Sequence, residues 1–227
     1  MVWLVTIAAV AAAYLIGSVN SSIIISKLIG TDIRGHGSGN AGATNMLRTY
    51  GKRVGVLTLL CDVLKGILAV GIAFLIMYLI SAYFPFYEDG MAVTLMPYLC
   101  GIAVVVGHNY PIFFQFKGGK GIATSAAVIF MLDWRLGLIV LASALLVMVL
   151  TRYISLGSIF GGIVFPVSAI IFTILIDKDY NYALILTAVI MGVLAIYRHH
   201  ANISRLMYGT ESRLGAKKKA NKEEETH

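Results

Sequence analysis

Long apolar runs alternate with short polar connectors along this chain, and the runs set its architecture. Crossing a bilayer as a helix takes about 20 mostly apolar residues. Seven runs are candidates, at roughly 2–27, 54–80, 91–114, 120–132, 136–151, 156–176 and 181–197. The fourth and fifth are short and are split by Asp133-Trp134-Arg135, so one broken segment is the alternative there. Backbone polar groups in hydrocarbon must be bonded within their own segment, so the spans are expected to be helices. The expected fold is an all-α integral membrane protein with seven transmembrane helices.

Charge then orients the spans. In a seven-span layout, 15 of the 18 lysines and arginines fall on one side, against Arg135 and Lys178 on the other, with Lys65 inside the second span. The positive-inside rule puts the N-terminus outside and the C-terminus in the cytoplasm. The net charge of +7 therefore reports topology and contact with anionic headgroups, and no nucleic-acid partner is expected. Composition agrees: 13% of residues are charged, where soluble proteins carry about 25%. The opening run has no positive n-region and no clear small-residue cleavage site, which reads as a retained span and not a signal peptide. A single transmembrane domain is expected over residues 1–213, followed by a disordered basic and acidic cytoplasmic tail at 214–227. Cys61 and Cys100 lie in apolar runs and match no zinc or disulfide spacing.

The capable side chains gather in four inward segments. The first is GHGSGNAGATNMLRTYGKR, residues 35–53. Its glycines, Gly37 and Gly39 among them, let backbone amides approach an anion. Ser38, Asn40, Thr44 and Asn45 add neutral donors, while Arg48 and Lys52 add charge. The pattern GxGxxG occurs here with Asp62 20 residues later, but membrane spans flank it where a dinucleotide fold needs a strand and a βαβ unit. The bland alternative is a flexible connector. The second segment, GHNYPIFFQFKGGKGIAT, carries His108, Asn109, Gly118, Gly119, Lys120 and Gly121. A lysine and free amides at the start of a helix favour an anion, because helix dipole and orphan donors point the same way. It is not a Walker A loop, since Gly121 stands where Ser or Thr is required. Anchoring at the interface is the plain reading of Lys117 and Lys120.

The third segment, around Ser155 and Ser158, could be a simple helix cap. The fourth, YRHHANISR, sets His199 and Asn202 three residues apart, on one side of a continuing helix, with Arg198 or Arg205 nearby. Anchoring explains the arginines but not the His-Asn pair. Asp62 and Lys65, an i,i+3 pair inside the second span, read as a structural pair supporting the Gly-rich loop rather than a proton relay. Carboxylates are scarce on the inner face, and no HExxH or Cys/His cluster occurs, so neither metal nor cofactor is expected. Such a site suits phosphate-bearing substrates.

Taken together, these segments resemble the PlsY family of membrane glycerol-3-phosphate acyltransferases. The stretches GSGNAGATNMLRTYGKR, LCDVLKG, GHNYPIFFQFKGGKGIAT, YISLGS and YRHHANISRLMYGTE occur in the family's order, from Gly17 to about Gly209. The resemblance implies transfer of a fatty acyl group from acyl phosphate to the 1-hydroxyl of sn-glycerol 3-phosphate, giving lysophosphatidate and phosphate. It implies a bacterial inner-membrane enzyme with its active site facing the cytoplasm and no metal or nucleotide dependence. It also implies catalytic or substrate-holding roles for Ser38, Arg48, Lys120, Ser155, His199 and Asn202, and a phosphate-cradling backbone at Gly118, Gly119 and Gly121. No histidine is followed by aspartate five positions on, so the H-x-x-x-x-D motif of thioester-using acyltransferases is missing. One departure stands out: the family often has a proline soon after the first-span Gly-Ser, where this chain has Val19-Asn20-Ser21. The rival readings are a transporter for an organic phosphate and a scaffold subunit. A transporter predicts a mid-membrane polar cluster and repeated halves; no internal repeat is visible.

Overall fold

A computed structural model describes residues 2–84 and 90–215, and among these are ten α-helices and no strand. Helix α1 (Val2–Ser18) ends where Val19 and Asn20 leave the spiral. The Asn20 side chain accepts a hydrogen bond from the Ile23 amide at 3.1 Å and so caps α2 (Ser21–Leu28). An asparagine cap thus makes the break at the position where the resembling family often uses proline. After the Gly-rich loop come α3 (Ala43–Tyr50) and the long α4 (Lys52–Tyr83). Helix α5 (Gly90–Asn109) is followed by the second polar loop and the short α6 (Ile122–Leu132). Asp133 alone separates α6 from α7 (Trp134–Thr151), accepting from the Arg135 and Leu136 amides. The fourth and fifth apolar runs are therefore two helices and not one broken segment. Helix α8 (Ile154–Ile170) widens into a π-type turn at Ile171–Ile176. Helices α9 (Tyr182–Arg198) and α10 (His200–Met207) meet at a 54° bend.

Five helical stretches are long and apolar enough to cross a membrane, and α9 with α10 makes a sixth if the bent pair counts as one span. At 1.5 Å per residue, the 11 residues of α6 reach only about 16 Å, roughly half the thickness of a hydrocarbon core. The sequence already marks this run as short, because the polar, Gly-rich loop ends just ahead of it. Residues 216–227, and with them most of the expected tail, lie outside the described residues.

Small residues let the helices cross closely, as expected where lipid supplies no hydrophobic drive for helix association. At the α1–α5 crossing, a Cβ on Gly17 would strike the Val104 backbone, and one on Gly107 would strike the Tyr14 carbonyl. Between them run Val70, Met96, Val104, Val128 and Phe165, all buried. Outward-facing Leu57, Leu60, Leu64, Leu68 and Leu75 line an exposed flank of α4, as a lipid-facing surface would be.

The bundle has two unlike ends. At one end Arg135 pairs with Asp133 at 2.7 Å and with Asp177 at 2.6 Å, tying the start of α7 to the end of α8. At the other end emerge the C-termini of α5, α7 and α9 and the N-termini of α6 and α8. All four polar segments belong to this second end.

Candidate functional site

The four segments, spread over about 175 residues of sequence, converge on one polar cavity of about 1050 Å³, its open mouth included. Ser38, Asn40, Thr44 and Arg48 line it from the first segment, and His108, Lys120 and Gly121 from the second. Ser155 and Ser158 line it from the third, and His199 and Asn202 from the fourth. Arg34 ties the first two segments together, pairing with Asp32 at 2.7 Å and donating to the Phe114 carbonyl at 3.1 Å.

Asn45 builds the Gly-rich loop. Its Oδ1 accepts from the Ser38 amide at 3.0 Å, and its Nδ2 donates to the carbonyls of His36 at 2.9 Å and Asn40 at 3.0 Å. Asn45 also lines the cavity, with its amide engaged by the loop, so it has a scaffolding role beside the expected substrate contact. Gly37 and Gly39 take φ of +59° and +70°, which the loop needs in order to wrap the Asn45 side chain. Lys52 stands on the exposed start of α4, away from the cavity. Arg205 borders a wider outer vestibule with Arg48, Tyr153 and Arg213.

The second loop also departs from expectation. The amides of Gly118 and Gly119 are not free: they donate to the Asn109 and His108 carbonyls at 3.3 and 3.2 Å. Their own carbonyls accept from Arg198, which lies over the Tyr110 ring and clamps the loop from α9. Any phosphate cradle therefore shifts onward, to the amides of Lys120 and Gly121 and the open first turn of α6. The Lys120 and Gly121 amides meet no acceptor among the described residues. Gly121 caps α6 at φ +74°, a left-handed conformation that glycine takes without strain. Asn109 is fully buried against Gly121, outside the cavity lining, and its amide meets no protein partner.

Carboxylates are scarce on the inner face, yet Glu211 and Asp62 both line the cavity. Each already accepts hydrogen bonds from protein groups. Glu211 accepts from Ser155 Oγ at 2.8 Å, Asn202 Nδ2 at 2.8 Å and Arg205 Nε at 2.7 Å. Burial opposes its ionisation, but Arg205, Asn202 and Ser155 outweigh this and hold the carboxyl below its ordinary range. Asn202 in turn accepts from Lys120 Nζ, so Glu211, Asn202 and Lys120 form one chain. Burial, with the cationic Arg205 close by, brings the Lys120 ammonium down to about 8. Asp62 accepts from Ser21 Oγ at 2.8 Å and Lys65 Nζ at 2.9 Å. Among the described residues no group of three or more potential metal ligands gathers.

His199 sits at the α9–α10 bend rather than on a continuing helix, and its Nδ1 lies 2.7 Å from the Ala195 carbonyl. A carbonyl can only accept, so Nδ1 carries the hydrogen and Nε2 keeps its lone pair.

Beside the polar cavity lies an apolar cleft of about 670 Å³, its mouth included, between α6, α7, α8 and α9. Ile122, Ala126, Leu141, Met148 and Ser158 line both spaces, so the two adjoin. A charged, amide-rich chamber beside an apolar cleft fits an amphiphile with an anionic head.

Sequence comparison agrees with this shape. A family profile described as glycerol-3-phosphate acyltransferase matches residues 7–209. The chain belongs to the glycerol-3-phosphate acyltransferase family. A relative of that description from Thermoanaerobacter sp. (strain X514) is 44% identical over 206 residues, covering 90% of this chain and 93% of the relative. Another from Clostridioides difficile is 44% identical over 207 residues, covering 91% and 94%. Two crystal structures of PlsY, an integral membrane glycerol 3-phosphate acyltransferase, share the fold. The glycerol 3-phosphate form has a TM-score of 0.76 and 37% identity, covering 92% of this chain and 96% of that one. The lysophosphatidic acid form has a TM-score of 0.73 and 36% identity, covering 92% and 95%.

Within this acyltransferase fold, sequence reasoning missed the roles of two residues. Glu211 holds Ser155 and Asn202 at the cavity and Arg205 at the vestibule, and Arg198 holds the second loop. The available signal for Glu211 was its isolation, since it is the one acidic residue in the segment 198–213.

Proposed function

We propose that this protein transfers a fatty acyl group from acyl phosphate to the 1-hydroxyl of sn-glycerol 3-phosphate, releasing lysophosphatidate and inorganic phosphate. The observation that carries the reading is the cationic cavity lying directly against the apolar cleft, with five lining residues in common. One substrate, an acyl phosphate, has a head for the first and a tail for the second.

The acyl phosphate head sits against the amides of Lys120 and Gly121, with the α6 dipole and Ser38 completing its cradle. Its chain lies in the cleft between α6 and α9. Arg48, by a bidentate fork, and Lys120, as a point charge, hold the glycerol phosphate. The hydroxyl oxygen attacks the acyl carbonyl, the carbonyl carbon–phosphate oxygen bond breaks, and phosphate leaves with the electron pair. Acyl phosphate is a mixed anhydride with a good leaving group. The protein's task is therefore to orient two anions, which can contribute about 7–11 kcal/mol, and to stabilise developing charge with fixed donors. The hydroxyl proton goes to His199 Nε2 or to a substrate phosphate oxygen. Glu211 acts through Ser155, Asn202 and Arg205 and keeps Lys120 aimed at the site.

Counting α6 as a crossing gives seven spans, with the N-terminus outside and the C-terminus in the cytoplasm. Lys and Arg then crowd the cytoplasmic side, and the cavity opens there, in a bacterial inner membrane. Residues 1–213 form the catalytic domain.

The test is purified protein in detergent with radiolabelled glycerol 3-phosphate and palmitoyl phosphate. Labelled lysophosphatidate supports the reading. Label retained as glycerol 3-phosphate, or label incorporated equally well from acyl-CoA, contradicts it.

A further inference from the structure

His108 and Lys65 meet inside the bundle in an arrangement that the transfer mechanism above leaves unused. Lys65 Nζ lies 2.9 Å from Asp62 Oδ1, 3.3 Å from the Val19 carbonyl and 2.7 Å from His108 Nδ1. All three side chains are buried, with 6% of Lys65 and 3% of His108 exposed. An ammonium has three hydrogens, and here it faces three acceptors. The carboxylate and the carbonyl can do nothing but accept. The third contact is with a ring nitrogen, which accepts only if it carries no hydrogen of its own. A hydrogen on Nδ1 would point at the ammonium 2.7 Å away, and the Asp62 oxygen it could turn to is farther off, at 3.5 Å. The ring hydrogen therefore belongs on Nε2.

The Nε2 edge faces the second loop. A Cβ on Gly119 would collide with His108 Nε2, so glycine is what allows the ring to pass there. His108 lines the polar cavity beside Lys120 and Gly121, and Nε2 meets no protein acceptor among the described residues. We infer that His108 donates a hydrogen bond from Nε2 to the phosphate of the bound acyl phosphate, and that Lys65, which does not touch substrate, is the positioning residue that fixes this tautomer. Asp62 balances the Lys65 charge, and Ser21 holds Asp62 at 2.8 Å from α2. The buried pair expected to support the Gly-rich loop thus also reaches the substrate through an imidazole.

This inference rests on the acyl-transfer reading for its substrate, but its tautomer can be read without turnover. Protein labelled with ¹⁵N in the histidine rings is examined by NMR in detergent, with the His108 signals assigned by their loss in His108→Gln. The expected spectrum pairs an unprotonated Nδ1 with a protonated Nε2. Lys65→Met alone strands the Asp62 carboxylate and can unfold the protein, so the decisive variant is Asp62→Asn with Lys65→Met, which removes both charges together. In that variant the His108 signals move toward mixed tautomers. The KM for palmitoyl phosphate rises about tenfold to a hundredfold, the scale of one hydrogen bond to a charged group, while the KM for glycerol 3-phosphate stays within about twofold.

A second pair separates donor position from bulk. His108→Gln can place an amide hydrogen near the Nε2 site and retains most of the affinity, whereas His108→Asn, with its amide nearer Nδ1, does not. A protonated Nδ1 in the wild-type spectrum overturns the inference. So does an equal rise in both KM values, which is what a structural defect produces. Wild-type protein that shows the expected tautomer but makes no lysophosphatidate overturns the functional reading and leaves the tautomer standing.

Discussion

Two histidines face the same cavity from opposite walls, and their backs differ. His199 leans on a carbonyl, that of Ala195, so its rear nitrogen donates and its front nitrogen accepts. His108 leans on an ammonium, that of Lys65, so its rear nitrogen accepts and its front nitrogen donates. One ring type thus supplies an acceptor on the α9–α10 wall and a donor on the α4–α5 wall. A phosphoryl-bearing substrate needs donors around its head and an acceptor for the incoming hydroxyl proton, and the two walls divide that work. The division is set by residues that touch no substrate.

The walls can be broken apart by substitution. Lys120 joins them, since it lies just ahead of α6, lines the cavity with His108 and is bonded to Asn202 on α10. Lys120→Ala is expected to lower kcat/KM for glycerol 3-phosphate by about a thousandfold, as removal of a preorganised charged donor does. Arg48→Ala is expected to follow closely, and steady-state assays of both variants check this.

His199→Ala sharpens the comparison next. If its Nε2 takes the hydroxyl proton, kcat falls by about a hundredfold or more, the usual range for a general base. A loss of only a few-fold with KM unchanged assigns that proton to the substrate phosphate and leaves His199 a positioning role.

A smaller effect follows from Lys120 at about 8 in the free protein. The ammonium is charged below that pH and loses its proton as pH rises through it. The substrate phosphate becomes doubly charged above about pH 6. The rate constant kcat/KM for glycerol 3-phosphate is therefore expected to peak between these values and to fall roughly tenfold per pH unit on the alkaline side. A profile flat to pH 9.5 would remove Lys120 from substrate binding.

The smallest expected change lies in the apolar cleft. A Cβ at Gly161 would sit in ordinary contact with Ala144 and Val140, 3.5 Å from each. Gly161→Val should fold and narrow the cleft, shifting preference toward shorter acyl phosphates by a few-fold in a competition assay of chain lengths.

Much of this was readable in the chain. Hydropathy located the long apolar helices, because a lipid solvent demands length and apolarity above all, but not the short polar α3 and α10 or the break between α1 and α2. Glycine, basic residues and the His-Asn pair marked the segments that meet. Register and satisfaction were not readable. That Asn45 would spend its amide on the loop, or that Gly118 and Gly119 would already be bonded, depends on distances of a few tenths of an ångström. Glu211 joins Ser155 from 56 residues away, and no local pattern announces such a pairing.

On this reading, the cavity lined by Arg48 and Lys120 carries out acyl transfer between two phosphate-bearing substrates. Following ³¹P signals during the reaction of palmitoyl phosphate with glycerol 3-phosphate tests it most directly. Wild-type protein should convert each acyl phosphate into one lysophosphatidate and one inorganic phosphate, and the Arg48→Ala, Lys120→Ala double variant should do neither. Phosphate released without lysophosphatidate, or a double variant as fast as wild type, would contradict it.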